Sequence, residues 1–237
     1  MKKLFFTILL VMPLFAQAQS ALPTDSSTKK TTSGWTIPES ATPANTNGKS
    51  SSATNTRNIK PGYPGNLKED PKYLEGAVPQ DTDGNVIFTL DLDIAGKTAN
   101  QIYETVYRYL DQLTKEENQR LSRVALINTD EHIIAAKYSE WLEFTRTFLS
   151  LDRSEFNYTL IAKCSDNHLK LTLSRIFYNY EKGRSTSLST NAEKWITDKI
   201  ALNKKKNGLR AMSAKFRRKT IDRKDQIFSQ VKALFRP

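Results

Sequence analysis

The sequence is poor in cysteine and histidine. Cys164 is its only cysteine, so no disulfide can form within the chain and no metal site built on several thiolates is available. His132 and His168 are its only histidines, and both fall in expected turns, where a solvated side chain is the ordinary interpretation. We therefore expect stability to come from packing, and we expect no metal or other cofactor.

The sequence also lacks the local motifs of the common enzyme classes. It has no Gly-x-Ser-x-Gly elbow, no His-Glu-x-x-His zinc helix and no glycine-rich loop of a nucleotide-binding site. Carboxylate pairs that meet only in the folded chain leave no such motif, so a secreted hydrolase that uses loop Asp or Glu residues stays open. A non-catalytic protein is the favoured interpretation.

Only one long apolar run is present, and it lies at the N-terminus. Residues 1–18 combine a charged start, an apolar run from Leu4 to Phe15 and the cleavage motif Ala16-Gln17-Ala18, which together predict a signal peptide. The mature chain is expected to begin at Gln19, in the periplasm or outside the cell. A bilayer crossing needs roughly 20 apolar residues, so this run is too short for a transmembrane helix.

Aliphatic residues are scarce in residues 19–80, where Ser, Thr, Asn, Pro, Gly and Lys dominate. This composition offers little apolar surface to offset the entropy of ordering, so it predicts a disordered Ser/Thr/Asn/Pro-rich linker. Trp35, Tyr63 and Tyr73 are isolated aromatic residues within it. They are either incidental or part of a docking motif.

The pattern changes near residue 81, and residues 81–237 are predicted to form a single α+β domain. In NVIFTLDLDI, from Asn85 to Ile94, apolar and polar residues alternate with the period of a half-buried strand. Thr98 and Gln101 then have the spacing of a capping box, which predicts a helix that ends near Lys115. The apolar face of this helix consists of Ile102, Val106, Leu110 and Leu113.

Two β-hairpins are predicted next, with polar turns at residues 128–131 and 165–167. The stretch SEWLEFTRTFLSLDRS between them fits either a continued strand or a short crossing helix. In the last strand the apolar positions change parity after Leu173, which predicts a β-bulge near Ser174 or Arg175 and a curved sheet with a concave face. Cys164 falls on the buried face of its strand, so we expect an unreactive thiol.

The remaining chain is predicted to form helices. Thr190 and Glu193 have capping-box spacing, and the helix that they would start is expected to end at Gly208. A final helix is predicted from about Asp222 to Phe235, with an apolar face turned to the sheet.

Several of these segments resemble one known family, in the same order along the chain. The motifs are YSEWLEF, LDRSEFNYTLIAKCSDN, LSRIFYNYE, AEKWITDKIALNKKK and KFRRKTIDRKDQIF, within a region from about Pro79 to Phe235. They resemble the bacterial exported family known as domain of unknown function 4468, which has a TBP-like fold. The resemblance implies a curved antiparallel sheet packed by helices, in the order β-α-β-β-β-β and then C-terminal helices. It implies no established activity.

Positive charge is concentrated in the last quarter of the sequence. Residues 181–237 contain 16 Lys and Arg against 5 Asp and Glu, a surplus equal to the net charge of +11 of the whole chain. This asymmetry favours an anionic partner. The residues predicted to bind it surround the start of the final helix, namely Lys215, Arg217, Arg218, Lys219, Arg223 and Lys224.

Arg217 and Arg218 are the strongest candidates, because a guanidinium group grips phosphate or carboxylate at two points. An exported protein rarely meets nucleic acid, so the predicted partner is an acidic protein or an anionic envelope component, such as lipopolysaccharide phosphate, lipid headgroups at the membrane surface or acidic glycan. The partner would bind this basic surface or the concave face of the sheet. Two alternatives stay open: the charges only solvate and stabilise helix ends, or the protein is a structural subunit of an envelope assembly with an exposed apolar patch.

Overall fold

The computed structural model of the protein describes residues 34–36 and 69–236. The predicted signal peptide and most of the predicted linker lie outside the described residues. The elements in chain order are β1 (Trp35–Thr36), a 3₁₀ helix (Pro71–Tyr73), β2 (Ile87–Asp93), α1 (Ala99–Leu113), β3 (Arg123–Asn128), β4 (Ile133–Arg146), β5 (Leu151–Ser165), β6 (His168–Tyr180), β7 (Leu188–Asn191), α2 (Asp198–Ala201) and α3 (Ala211–Ala233).

The strands form one antiparallel sheet in the order β1-β3-β4-β5-β6-β2, and β7 pairs with the end of β6 that β2 leaves free. Helices α1 and α3 pack on the same face of this sheet: the Tyr138 hydroxyl of β4 donates to the Leu110 carbonyl of α1, and the Tyr178 hydroxyl of β6 bonds to Thr220 of α3. The predicted α+β class is confirmed. No helix among the described residues packs on the opposite face, which is called the open face below.

The strand and helix predicted first along the chain are confirmed. In β2, Phe88 and Leu90 are buried while Thr89 and Asp91 are exposed, as the alternation predicts. Helix α1 begins with the expected capping box, in which the Thr98 hydroxyl accepts from the Gln101 N–H at 3.3 Å and the Gln101 side chain accepts from the Thr98 N–H at 3.1 Å.

The ambiguous stretch of residues 139–154 continues the two long strands β4 and β5 and contains no helix. A four-residue turn joins the strands, and the Thr147 N–H donates to the Ser150 carbonyl at 2.8 Å. Cross-strand pairing holds this stretch in place, because β5 pairs with β6 as well as with β4.

The predicted β-bulge is present in β6. Asn157 of β5 pairs with Phe177, but Thr159 pairs with Ser174, so β6 holds one extra residue between these two pairs. Arg175 is the bulged residue, with a φ of 54°, and its exposed side chain points away from the core. The bulge keeps both Leu173 and Ile176 buried on the helix-covered face.

The prediction of a helix from Thr190 to Gly208 is wrong. Thr190 lies in β7, and the Glu193 carboxylate accepts from the Val86 N–H at 2.8 Å instead of closing a capping box. Only the four residues of α2 are helical in this range. The segment after it turns back, so that Leu202 and Leu209 form a β-bridge.

The predicted start of the final helix is also wrong, because α3 begins at Ala211, well before Asp222. Several residues on the buried side of its first turns are polar, namely Ser213, Arg217, Thr220 and Arg223. These residues interrupt the apolar period by which an amphipathic helix is recognised in a sequence.

The folded part of the chain begins before the predicted boundary at residue 81. Val78 is buried, and Arg217 of α3 donates to the carbonyl oxygens of Tyr73 at 2.6 Å and Leu74 at 2.5 Å. Further upstream, Trp35–Thr36 pair with the outer edge of β3. Parts of the predicted linker therefore belong to the sheet or pack against α3.

Candidate functional site

Arg217, the first candidate for anion binding, is fully buried, with 0% of its surface exposed. Besides the two carbonyls of the N-terminal segment, its guanidinium group donates to the Ile196 carbonyl at 2.6 Å and to Asp198 at 2.7 Å. All of these acceptors belong to the same chain. Arg217 therefore joins α3 to the segment before β2, to the turn before α2 and to the first residue of α2.

Arg223 is also directed into the protein. Its Nε and Nη2 atoms lie 2.8 and 2.7 Å from the two carboxylate oxygens of Glu140, and Nη2 lies 2.7 Å from Glu116. Burial lowers the pKa of Arg223, but the hydrogen bonds and the charge of Glu140 outweigh this effect and hold the pKa above its usual value. The side chain stays charged and joins α3 to β4.

The other four predicted residues lie nearer the surface. Lys215 lies 2.9 Å from Asp152 and 2.9 Å from the Tyr180 hydroxyl, and Arg218 donates to Glu69 at 2.7 Å. Lys224 pairs with its neighbour Asp225. Lys219 is half-buried and is the only one of the six without an ion pair among the described residues.

Carboxylates therefore pair with five of the six basic residues that the sequence singled out at α3. The acidic partners come mostly from earlier in the chain, and they are Glu69, Glu116, Glu140, Asp152 and Asp198. Anion binding at α3 stays a prediction, but the fold assigns most of its basic side chains to internal contacts. Further basic side chains without an ion pair among the described residues lie on the open face.

The open face carries basic residues whose side chains have neither an ion pair nor a hydrogen bond to another described residue. They are Arg123, Lys137, Lys163, Lys170 and Arg175, and all five are exposed. Arg123 of β3 lies directly opposite Lys137 of β4, and Lys163 of β5 lies directly opposite Lys170 of β6. Like charges directly opposite each other on neighbouring strands are destabilising.

A shallow depression of about 260 Å³ lies in the middle of the open face. Its basic lining residues are Arg123, Lys137 and Arg175. The side chains of Asn157 and Thr159, which also line it, have no hydrogen-bond partner in the part of the chain that the structure describes. The depression thus combines three positive charges with unused amide and hydroxyl groups.

Glu155 is the one carboxylate among the residues that line this depression, and it is already bound. It accepts from the Ser139 hydroxyl at 3.1 Å and the Asn179 amide at 3.2 Å, and it pairs with Arg120 at 3.0 Å. The Trp141 ring beside it is stacked by two guanidinium groups, with Arg120 4.4 Å and Arg153 3.8 Å from the ring centre. The charge of Glu155 is therefore balanced before any ligand arrives.

The cysteine and histidine positions give no catalytic arrangement. Cys164 is 6% exposed, and burial raises the pKa of its thiol to about 12, which agrees with the predicted unreactive residue. His132 lies in the turn before β4, while His168 opens β6 and bonds to Asp91. Within residues 34–36 and 69–236, no three His, Cys, Asp or Glu side chains are grouped as a metal site.

No helix in these same ranges is both long and apolar enough to cross a membrane.

Arg123, Lys137 and Arg175 are not predicted as site residues from the sequence, because none of them belongs to a basic cluster. The signal was present in the hairpin register: counting outward from the turn at residues 128–131 brings Arg123 close to Lys137. Their direct pairing also requires the register shift between Val124 and Leu126, which no sequence pattern indicated.

The comparisons with known proteins agree with this fold. The family model described as a domain of unknown function (DUF4468) with TBP-like fold matches residues 88–179, which include all three basic residues of the depression. The crystal structure of a DUF4468 family protein from Bacteroides ovatus is 35% identical, with a TM-score of 0.63, and the match covers 72% of this chain and 100% of that one.

A TBP-like protein from Parabacteroides distasonis has 18% identity and a TM-score of 0.52, over 66% of this chain and 96% of that one, and this likeness concerns the fold alone. No curated protein matches the chain. The family model and the relative from Bacteroides ovatus together confirm the resemblance noted in the sequence. The chain belongs to the DUF4468 family, whose domain has a TBP-like fold and no known function.

Proposed function

We propose that the protein is an exported, non-catalytic binding module that holds an anionic envelope component on the open face of its sheet. The observation that carries this proposal is the cross-strand pair of Arg123 and Lys137, which have no partner among the described residues. Side chains of directly opposite residues start about 5 Å apart, so an oxyanion between them would contact both charges. Binding would then relieve a repulsion that the free protein bears.

The remaining lining of the depression specifies the chemistry of the ligand. Arg175 adds a third positive charge. Asn157 and Thr159 add hydrogen-bonding groups that suit the hydroxyls of a sugar. The depression is shallow and lies on a broad sheet, which favours an extended polymer over a small enclosed molecule. We infer that the ligand is a glycan chain that carries carboxylate or phosphate groups.

The competing hypothesis of a hydrolase finds less support in this geometry. Glycoside hydrolysis requires two carboxyl groups about 5–10 Å apart on either side of the scissile bond. Only Glu155 supplies a carboxylate to the lining of the depression, and three hydrogen-bonding groups already hold it. This arrangement favours binding without catalysis.

The test is binding of the mature chain, from Gln19 onward, to lipopolysaccharide and to polygalacturonate over a series of salt concentrations. The first probe carries phosphate and the second carries carboxylate. In the variant Arg123→Ala/Lys137→Ala we expect affinity for the true ligand class to drop about tenfold or more, because two charge-assisted contacts are lost. We also expect the wild-type affinity to decrease as salt increases.

The matched control is Lys204→Ala/Lys205→Ala, which removes the same charge from exposed residues of the turn after α2. If both double variants lose the same affinity for the probe, binding depends on net charge alone and the assignment to the open face is overturned. Binding of neither probe at low salt would overturn the ligand class. Export is tested separately by cell fractionation and N-terminal sequencing, and a cytoplasmic protein that retains residues 1–18 would contradict it.

A further inference from the structure

The turn between β4 and β5 exposes two large apolar side chains. Phe148 and Leu149 are 101% and 90% exposed, and they occupy the two central positions of the turn. The turn is closed by groups on either side of them, since the Ser150 N–H donates to the Thr147 hydroxyl at 3.0 Å. Gly, Pro, Asn, Asp and Ser are the residues usually found in such turns.

Neither side chain contributes to the fold that the structure describes. Both extend into solvent beyond the last cross-strand pair, which is formed by Arg146 and Leu151. Leu151 is itself 45% exposed and extends the apolar surface along the strand. We call Phe148, Leu149 and Leu151 the apolar tip.

Basic residues lie at the same end of the sheet as the apolar tip. Arg146 is the last residue of β4, and Arg153 follows two positions after Leu151 on the same side of β5. The loop that carries Lys182 and Arg184 leaves β6 at the same end of the sheet, because Tyr180 pairs with Ser154. Arg146 and Arg184 pair with Glu143 and Glu181. Arg153, which stacks on the Trp141 ring, and Lys182 have no ion pair among the described residues.

The size of the apolar tip distinguishes between two classes of partner. One Phe side chain buries about 150–250 Å², so the tip offers only a few hundred Å², whereas a specific protein interface buries roughly 1,200 Å² or more. A projecting pair of apolar side chains with cations behind it suits the boundary between the headgroups and acyl chains of an anionic bilayer. We propose that the apolar tip inserts Phe148 and Leu149 into an anionic lipid surface, with Arg153 and Lys182 facing the headgroups.

This inference uses a different surface from the proposed function. Insertion of the tip would place the long hairpin upright on the membrane, and the depression further along β4 and β5 would stay accessible. The two hypotheses therefore have independent tests.

The experiment measures sedimentation of the mature chain with vesicles of equimolar phosphatidylcholine and phosphatidylglycerol, and with vesicles of phosphatidylcholine alone. In Phe148→Ser/Leu149→Ser we expect partitioning into the anionic vesicles to decrease about tenfold or more, because the inserted apolar area is lost. Leu234→Ser is the matched control, since Leu234 is a 40% exposed leucine near the far end of α3. We expect this control to bind vesicles as the wild type does.

Depth of insertion gives a second readout. The only native cysteine is buried, so an environment-sensitive thiol dye will label an introduced Leu149→Cys selectively in the folded protein. We expect its emission to shift to the blue on vesicle binding and to be quenched by spin labels on the acyl chains. Glu131→Cys, an exposed site in the turn at the other end of the sheet, should show neither change.

Unchanged partitioning of Phe148→Ser/Leu149→Ser, or a dye at residue 149 that stays in water, would overturn the proposal. Self-association of the wild type without lipid, abolished by the same double substitution, would also overturn it and assign the apolar tip to a contact between two copies of the chain.

Discussion

Arg223 and Glu140 form a two-point ion pair between α3 and the sheet, in which Nε and Nη2 lie 2.8 and 2.7 Å from the two carboxylate oxygens. The two side chains are only 8% and 1% exposed. Amide groups of Asn118 and Gln119 also donate to Glu140, so its oxygen atoms have several donors. A buried carboxylate with so many donors depends on each of them, because water does not replace a lost partner.

We expect Arg223→Met to lower the free energy of unfolding by about 3–5 kcal/mol, because it leaves the Glu140 charge buried without its counterion. The measurement is the midpoint of urea unfolding, monitored by circular dichroism. Arg184→Met is the control, since its pair with Glu181 lies in an exposed loop, and it should change the midpoint little.

The double variant Arg223→Met/Glu140→Leu tests the mechanism behind this loss. Replacing both members of a buried ion pair with apolar residues removes the unpaired charge and is often close to neutral. We therefore expect it to recover most of the stability that Arg223→Met loses. A double variant as unstable as the single one would contradict this account.

A second prediction concerns Arg217, whose substitution should loosen the N-terminal segment of the domain. Arg217→Met removes the donors to the partly buried carbonyls of Tyr73 and Leu74, and an acceptor left unsatisfied costs up to about 1–3 kcal/mol. We expect faster amide hydrogen exchange in residues 71–78, together with a lower urea midpoint.

Arg218→Met is the matched control for this change. Arg218 is 30% exposed and pairs with Glu69, so its loss should cost about 1 kcal/mol or less. If Arg217→Met leaves exchange in residues 71–78 unchanged, the guanidinium group does not hold this segment.

These contacts explain why the sequence predicts the strands and α1 better than the C-terminal helices. The alternation in β2, the capping box of α1 and the parity change in β6 are local patterns, and each is found where the sequence places it. Helix α3 is different, because Arg217 and Arg223 occupy its buried side and their partners lie far away in the chain. A count of charged residues predicts that Arg217 and Arg223 lie on a basic surface. Only the fold shows the carboxylates that pair with them.

The candidate site was missed for a related reason. Arg123 and Lys137 are fourteen positions apart in the sequence and belong to a region with no net charge surplus. Cross-strand register makes them neighbours, and the bulge at Arg175 turns a third basic side chain toward the same depression. The sequence predicts a face of the sheet as an alternative binding surface, but the residues that meet there depend on a strand register that the sequence does not show.

A third prediction is a loss of stability at alkaline pH. Burial raises the pKa of Cys164 from 9.0 to about 12 and the pKa of Tyr103 from 10.0 to about 12. Between these values the unfolded chain releases protons that the native protein retains, so unfolding becomes more favourable as pH rises. The contribution of both groups is complete below pH 9.0 and is lost as the pH approaches about 12.

Urea midpoints measured from neutral pH to about pH 11 test this, since one such group can contribute up to about 1.4 kcal/mol per pH unit. Cys164→Ala removes one titrating group, and we expect a shallower decline just above pH 9.0, where the thiol of the unfolded wild type begins to ionise. An identical pH profile in this variant would show that the thiol has no part in the decline.

The last prediction separates stability from binding at Arg175. This exposed residue has a φ of 54°, a left-handed conformation that costs most L-residues about 1–2 kcal/mol and glycine very little. We expect Arg175→Gly to raise the free energy of unfolding by about 0.5–1 kcal/mol, after the greater freedom of glycine in the unfolded chain is counted. Because Arg175 lines the depression, we expect the same variant to bind the anionic probe more weakly.

Arg175→Ala distinguishes the two effects, since it removes the charge but keeps the strained backbone. It should bind the probe as weakly as Arg175→Gly does, without the gain in stability. A basic side chain retained at a strained bulge is what a binding site would require, because a structural role alone would favour glycine there. If Arg175→Gly is no more stable than Arg175→Ala, or if both bind the probe as the wild type does, Arg175 is not part of an anion-binding site held under backbone strain.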